Sequence, residues 1–586
     1  MSIENTKQYS NFLTISLLVI STIMVSPNTL DQTLTLRLVF YSLIISIYTL
    51  GLKKLETSPK VFIILFSIHL LLSLFSSFTA YNKEECILDF FKSTFLIGSI
   101  FLSSSFFKQN KFSYNHLFNI SWILTLIIGI ACFYQICNLS EWDLYQITGL
   151  NGHKNLTSSF ILLLITIKIS YLFFENKSHQ KYFIIGFILL DLLIILFLKT
   201  RAVWFGISVG IILFFIYYKF KDYLLGKNTF YLTILLTIIF NIILFVFIYL
   251  MVNQIDSQKT FLKLGKAEDQ ERITLWDKTI NMINEKPVLG HGGGNWQVNF
   301  PKQTLSNIWR AEDLNITFQR PHNDFLWIIS ELGFLNFEIL LFTIILLLSY
   351  YLTSNKSNNY LIIIFGLISF FTAGFFDFPR ERSEHSFFVF ILIGFLISNI
   401  NNPFFNPLSR KYDIIFTNIL KVIFPITFII FTIRFYSETQ VKKIHESINS
   451  NNTLDIINAV ENSKSMVCSI DSYSVPIKWY SATAYASLGN NKMVLKELKE
   501  AYQKAPFNRN VLNDLGTIYT LNGQTKKAIY YFLKSHKISP RYDEPLLNLI
   551  VIYINLGDLN KARYYDSLLK TDSPRRKEIE NHLNSL

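Results

Sequence analysis

The sequence predicts an all-α protein: a polytopic transmembrane helix bundle of about 12–13 spans with a large outer loop, then a soluble α-helical repeat domain. Three observations lead there. Of 586 residues 51% are apolar and mean hydropathy is +0.33, too apolar for an ordinary soluble globule. Thirteen apolar runs of near-spanning length precede residue 434. Beyond about residue 436 the chain turns polar, and glycine, proline and tyrosine recur every 34 residues.

The runs lie at 12–26, 35–51, 61–80, 88–106, 117–137, 156–174, 182–198, 202–218, 229–252, 325–353, 360–376, 386–400 and 412–433. The first ends at Pro27-Asn28 without a small-residue cleavage site and reads as a retained span rather than a signal peptide. Alternate short loops carry unequal positive charge. One set holds thirteen basic residues, among them Lys53, Lys54, Lys219, Lys221 and Arg410. The other holds seven: Arg37, Lys83, Lys154, Lys199, Arg201, Arg380 and Arg382. The basic set belongs in the cytoplasm, which puts the N-terminus inside and the 253–322 loop and the tail outside. The net charge of +13 is therefore largely topological and carries no nucleic-acid footprint. Cys86, Cys132, Cys137 and Cys468 lack metal-ligand spacing; Cys86 and Cys137 share the outer boundary, where a disulfide is one reading.

In the tail, Gly489, Gly523 and Gly557 keep a 34-residue register with Pro506, Pro540 and Pro574, and with Tyr485, Tyr519 and Tyr553; Ala528 and Ala562 repeat it. Over roughly 476–575 this resembles the tetratricopeptide family. Tyr would pack inside each first helix, Gly would allow the turn, and Pro would end the second helix. Such arrays bind partners on a concave face; a stabilising cap on the membrane domain is the alternative.

The most informative stretch is Arg320-Pro321-His322-Asn323-Asp324, running into Ser330-Glu331-Leu332-Gly333. It places a guanidinium, an imidazole and an amide where a long polar loop meets an apolar run, and polar groups there are costly unless paired or used. Capping by His322 and Asn323, with Asp324 at the positive helix end, is the alternative. Arg201 opens the eighth span, Lys154 and Asn155 precede the sixth, and Arg272 flanks an apolar stripe of Ile273, Trp276, Ile280 and Ile283 in the loop. Asp377, Arg380 and Arg382 occupy the last short outer loop. Arginine suits a pyrophosphate because its fork is always charged and bidentate; as single residues these arginines read equally as interface anchors. Leu289-Gly290-His291-Gly292-Gly293-Gly294 reads as a tight turn folding the loop back over the bundle, or an anion nest. Glu331 and Asp191 are intramembrane carboxylates, to be read as functional groups or as interhelical hydrogen-bond partners.

The succession Asn151-Gly152-His153-Lys154-Asn155, Thr200-Arg201-Ala202-Val203-Trp204-Phe205-Gly206, Arg272 with Trp276, Pro287 to Gly294, His322-Asn323 with Glu331-Leu332-Gly333, and Asp377-Phe378-Pro379 resembles the O-antigen ligase/polymerase family of glycan transferases over about 145–400. The resemblance implies N-terminal transmembrane helices at 1–144, an O-antigen ligase-like domain at 145–434 with its outer loop at 253–322, and a periplasmic repeat domain at 435–586 of a bacterial inner-membrane protein. It implies a metal-independent glycosyltransferase without cofactor, moving an undecaprenyl-pyrophosphate-linked glycan to an acceptor. Lipid A-core ligation in lipopolysaccharide biosynthesis is the first choice; polymerisation and transfer to protein are the alternatives within the family. By the same resemblance His322 is the general base and Arg201 and Arg272 hold the pyrophosphate, with Asn323, Glu331, Arg320 and Lys154 in support and no metal. A lipid-linked glycan transporter or a membrane scaffold is the non-enzyme reading. The repeats would supply a surface for a protein partner.

Overall fold

The computed structural model describes residues 13, 15–56, 59–109, 112–139, 146–174, 178–256, 267–313, 316–354, 358–400, 410–463, 467–570 and 574–585. Residue 12, at the edge of the first expected span, and the loop segment 257–266 lie outside these. Among the described residues the chain is helical without a β-strand; one isolated bridge joins Ile470 and Pro476. It is a multi-pass membrane protein. Every apolar run forms a helix: α1 (15–23), α2 (Leu34–Leu50), α3 (Lys60–Ser76), α4 (Lys83–Lys108), α5 (Tyr114–Cys137), α6 (Lys154–Phe174), α7 (Ser178–Leu198), α8 (Arg201–Leu224) and α9 (Thr229–Asp256).

The loop that follows carries α10 (Ala267–Glu285), α11 (Trp296–Asn299) and α12 (Trp309–Asp313). The bundle then resumes with α13 (Asp324–Thr353), α14 (Asn358–Gly374), α15 (Ser383–Ser398) and α16 (Arg410–Asn449). Among the described residues eight helices are long and apolar enough to cross a membrane, α3 to α8, α13 and α16; Leu34–Leu50, Thr229–Leu244, Asn359–Gly374 and Ser383–Ser398 are apolar but shorter. At the end of the bundle that bears the loop, Arg37 bonds Asn151, Asn82 N bonds Asn295, Arg434 pairs with Glu85 and His322 faces Asp377.

Two details shape that end. Helix α8 packs on α14 through glycine: a Cβ at Gly206 would overlap the Ser369 carbonyl, and one at Gly210 would overlap the Ser369 hydroxyl. Helix α13 is broken at Gly333, with φ 80° and ψ 165°, a conformation that costs other residues dearly. Across the break the glycine-rich turn docks by its backbone. His291 N donates to Ser330 O at 3.0 Å, Gly292 N to Glu331 O at 2.8 Å, and Phe334 N to Pro287 O at 2.8 Å. That turn folds the loop back over the bundle, one of the two expected roles. His291 is 2% exposed and its Nε2 lies 2.8 Å from Met282 O, a partner that fixes its orientation.

Helix α16 continues to Asn449 with Pro425 inside it, so the expected boundary at 434/435 falls within a helix. The tail is a stack of helices: α17 (Thr453–Asn462), α18 (Ile477–Ser487), α19 (Asn491–Lys504), α20 (Arg509–Leu521), α21 (Thr525–Ile538), α22 (Glu544–Asn555), α23 (Leu559–Asp566) and α24 (Pro574–Ser585). Tyr485, Tyr519 and Tyr553 lie within α18, α20 and α22. Gly489, Gly523 and Gly557 follow those helices at φ 70°, 69° and 73°. Ala528 and Ala562 are fully buried between helices. Pro506 and Pro540 follow α19 and α21 as expected, but Pro574 starts α24 instead of ending a helix, since its fixed φ suits a first helical position. The four cysteines are free, which corrects the Cys86–Cys137 reading: Cys86 is buried and Cys137 exposed.

Candidate functional site

The site grows from the N-terminus of α13. Asn323 caps it: its Oδ1 accepts from Phe325 N and Leu326 N, both at 3.0 Å. Capping therefore explains Asn323 and not His322. His322 stands one residue earlier at φ 55°, a left-handed position that non-glycine residues adopt at a cost of about 1–3 kcal/mol where surroundings enforce it. The enforcement is visible. Pro321 O accepts from Trp276 Nε1 at 2.9 Å, and the imidazole meets the Phe378 ring edge-on at 4.8 Å. His322 Nδ1 lies 3.9 Å from Asp377 Oδ1, and its side chain is 23% exposed. Burial, reinforced by the positive fields of Arg272 and Arg320, holds its pKa well below 6.5. At neutral pH the imidazole is therefore uncharged and can accept a proton.

Arg272, on α10, donates from Nη1 to Phe376 O at 3.2 Å, and its charge is felt at His322. Arg201 is an exposed first residue of α8. One turn on, Phe205 meets the Phe376 ring at 5.5 Å, on the residue whose carbonyl Arg272 bonds. Lys154 begins α6 and is 8% exposed; the turn before it places His153 at the same end. Desolvation outweighs the opposing pull of Asp377 and, with the charges of Lys154 and Arg272, holds the pKa of His153 below 6.5. Its Nδ1 accepts from Asn155 N at 3.2 Å, so the proton of the neutral ring sits on Nε2.

Arg320 is committed elsewhere. It pairs with Glu381 and stacks on Phe378 at 4.5 Å, on the same ring that His322 touches. Burial lowers its pKa to about 9, and it stays charged at pH 7. Glu331 is likewise occupied: its Oε1 accepts from Trp296 N at 3.0 Å, and its Oε2 lies 3.9 Å from Arg380 Nη2. Asp324 Oδ2 accepts from Arg380 N at 3.1 Å, tying the α13 cap to the Asp377–Arg382 segment. A cavity of about 130 Å³, or about 760 Å³ out to its mouth, opens beside these groups between Arg320, Trp327, Glu331, Arg434 and Asp471.

Several groups escaped sequence reasoning. Arg37 and Glu384 form a fully buried ion pair at 3.0 Å, and His385 Nε2 lies 3.0 Å from Ser159 Oγ. Arg37 also holds the turn before Lys154 by bonding Leu150 O and Asn151 Oδ1. Removing one partner of a buried pair costs about 3–5 kcal/mol, so this cluster fixes where His153 and Lys154 stand. Its one sequence signal is Glu384-His385 at the start of an apolar run, the same signature as His322 to Asp324. Asp191 pairs with Lys168 at 2.7 Å, both fully buried, and accepts from Thr125 at 2.7 Å. That interhelical clasp leaves Asp191 outside the site.

No curated protein matches the chain significantly. Residues 186–341 match the family model described as O-Antigen ligase. The match takes in Arg201, Arg272, His322 and Glu331; Lys154 and Asp377 stand outside it. It supports a glycan-processing function of the ligase/polymerase kind with a lipid-linked glycan and an acceptor as substrates, and the cluster around His322 falls within the stretch of this membrane protein that is similar to the O-antigen ligases.

Proposed function

We propose that the protein is a metal-independent glycosyltransferase that moves an undecaprenyl-pyrophosphate-linked glycan to an acceptor hydroxyl, and that the acceptor is lipid A-core. The observation that carries this is the His322 imidazole held 3.9 Å from Asp377 Oδ1 at the head of α13, in the field of Arg272. The acceptor oxygen forms a bond to the anomeric carbon as the bond to the pyrophosphate oxygen breaks. The hydroxyl proton passes to His322, and the lipid pyrophosphate leaves with both electrons of the broken bond. Arg272 and Arg201 neutralise the charge that grows on it, with Lys154 in support. Such a site accelerates transfer by positioning and charge stabilisation, the donor supplying the driving force.

A transporter would have no use for a neutral base beside a guanidinium cluster. A separate acceptor, rather than the growing end of the same glycan, is favoured by the helical array at the site's end of the bundle; we read that array as tetratricopeptide repeats. Deleting the gene in its host and running the surface polysaccharide on a gel tests the reading. Loss of long chains on lipid A-core with accumulation of lipid-linked polymer is expected. Single-unit lipopolysaccharide would instead mean a polymerase, and lost glycoproteins with normal polysaccharide a protein transferase.

We infer from the charge asymmetry of the loops, with thirteen spans, that the N-terminus is in the cytoplasm and the tail in the periplasm. Fusions after residue 440 should be active as alkaline phosphatase and dark as a cytoplasmic fluorophore. The reverse pattern removes the site from the side where the lipid-linked donor is presented.

A further inference from the structure

The tail is not a free appendage; it is seated on the loop that carries Arg272. Leu305 N donates to Ile538 O at 2.7 Å, and Thr304 Oγ1 reaches the same carbonyl at 3.2 Å. The Leu305 side chain packs into an apolar seat of Phe507, Leu512 and Ile538. Arg509 Nη1 donates to Ala311 O at 3.3 Å, and Arg541 Nε lies 3.6 Å from Glu312. Every one of these tail groups lies at or beside the turns that join one helix pair to the next, 504–509 and 538–542. The array therefore docks by one edge, and its opposite edge shows Leu488, Leu521 and Leu556 exposed.

The docked segment is wired to the site from within. Lys278 Nζ donates to Thr304 O at 2.7 Å and Ser306 O at 2.8 Å, so the loop strand is held by the tail on one side and by α10 on the other. Arg310, beside Ala311, pairs with Glu271 at 2.5 Å, the neighbour of Arg272. From the same helix Trp276 holds Pro321, the neighbour of His322. Two routes thus lead from the tail to the two groups of the site, each through direct contacts.

We propose that the helical array is a clamp that positions the site, with Leu305, Lys278 and Arg509 as positioning residues: by seating residues 304–312 it fixes α10, and so Arg272 and His322. This goes beyond the assigned reaction and rests on that reading only in its activity arm. An array used solely to recruit a partner would need no such seating, and its removal would leave transfer to a small acceptor intact.

The test uses the full-length protein in lipid nanodiscs, with Leu305→Asp and Arg509→Ala as clamp variants and Leu521→Ser on the exposed edge as control. Two quantities are read: amide hydrogen exchange over residues 267–285, and transfer from a lipid-pyrophosphate glycan to lipid A-core. Each clamp variant is expected to speed exchange in α10 at least tenfold and to lower transfer at least fivefold, mainly by raising the donor KM. The control should match the wild type in both. Lys278→Met, which acts from the other side of the strand, should reproduce the clamp phenotype with the array undisturbed. Unchanged α10 exchange in the clamp variants overturns the proposal, and so does faster exchange with unaltered transfer. If the wild type itself transfers no glycan, the reaction assigned above fails, while the exchange arm still decides whether the array clamps the loop.

Discussion

His322→Ala abolishes glycan transfer while the protein inserts and accumulates normally; this is the largest effect expected of any single substitution. In the proposed reaction the side chain is the proton acceptor, and its packing is one ring contact with Phe378 on a side chain still 23% exposed, so its loss removes chemistry and spares the fold. General bases contribute roughly 10²–10⁴-fold, and the loss should fall in kcat. The pH profile gives an independent measure. Burial, Arg272 and Arg320 all disfavour the imidazolium, so the base form persists as pH falls until it reaches a pKa well below 6.5. The acidic limb of kcat/KM should therefore lie well below pH 6.5. Removing one of the positive charges, as in Arg272→Gln, should move the residual activity's acidic limb upward. An acidic limb at or above 6.5 in the wild type, or near-normal transfer by His322→Ala, would hand the role to another group.

The second large effect separates a phosphate clamp from an anchor. A cation that merely marks the membrane interface tolerates exchange of Arg for Lys. A fork that binds two phosphate oxygens does not, although the charge is kept. Arg272→Lys and Arg201→Lys should each lower transfer at least tenfold, about 1.4 kcal/mol of transition-state stabilisation. Arg272→Lys should be the more severe, since Arg272 also holds Phe376 O and acts on His322. The double variant should be less damaged than the product of the singles, because both residues serve one leaving group. Steady-state rates with purified donor decide it; full activity in both Lys variants at normal expression levels removes the pyrophosphate assignment.

Helices were legible from apolar length, and the repeat register from spacing, because both are local properties of the chain. The stretch around His322 was legible for a related reason: a polar cluster at the head of an apolar run is expensive wherever it folds. Partnerships were not. Arg37 could be counted only as a loop charge, since its partner Glu384 lies far along the chain. Arg320 read as a supporting group, and Glu331 as a functional group or an interhelical partner, because nothing local shows that Glu381 and the Trp296 amide occupy them. His153 was passed over for its neighbour Lys154, although the fold brings the imidazole within the field of Asp377. Docking of the tail was equally invisible, since its ties to the loop join residues far apart in the chain, Leu305 to Ile538 and Arg509 to Ala311.

The break in α13 at Gly333 makes the helix and the loop one mechanical unit. Ser330 O and Glu331 O accept from His291 N and Gly292 N, and Phe334 N donates to Pro287 O. A Cβ at Gly333 would come within 2.0 Å of Val288 O, and its φ of 80° is costly for any other residue. Any side chain at 333 would therefore have to lift the 287–292 turn off the helix, so this one hydrogen-sized gap sets how closely the loop can sit on the bundle.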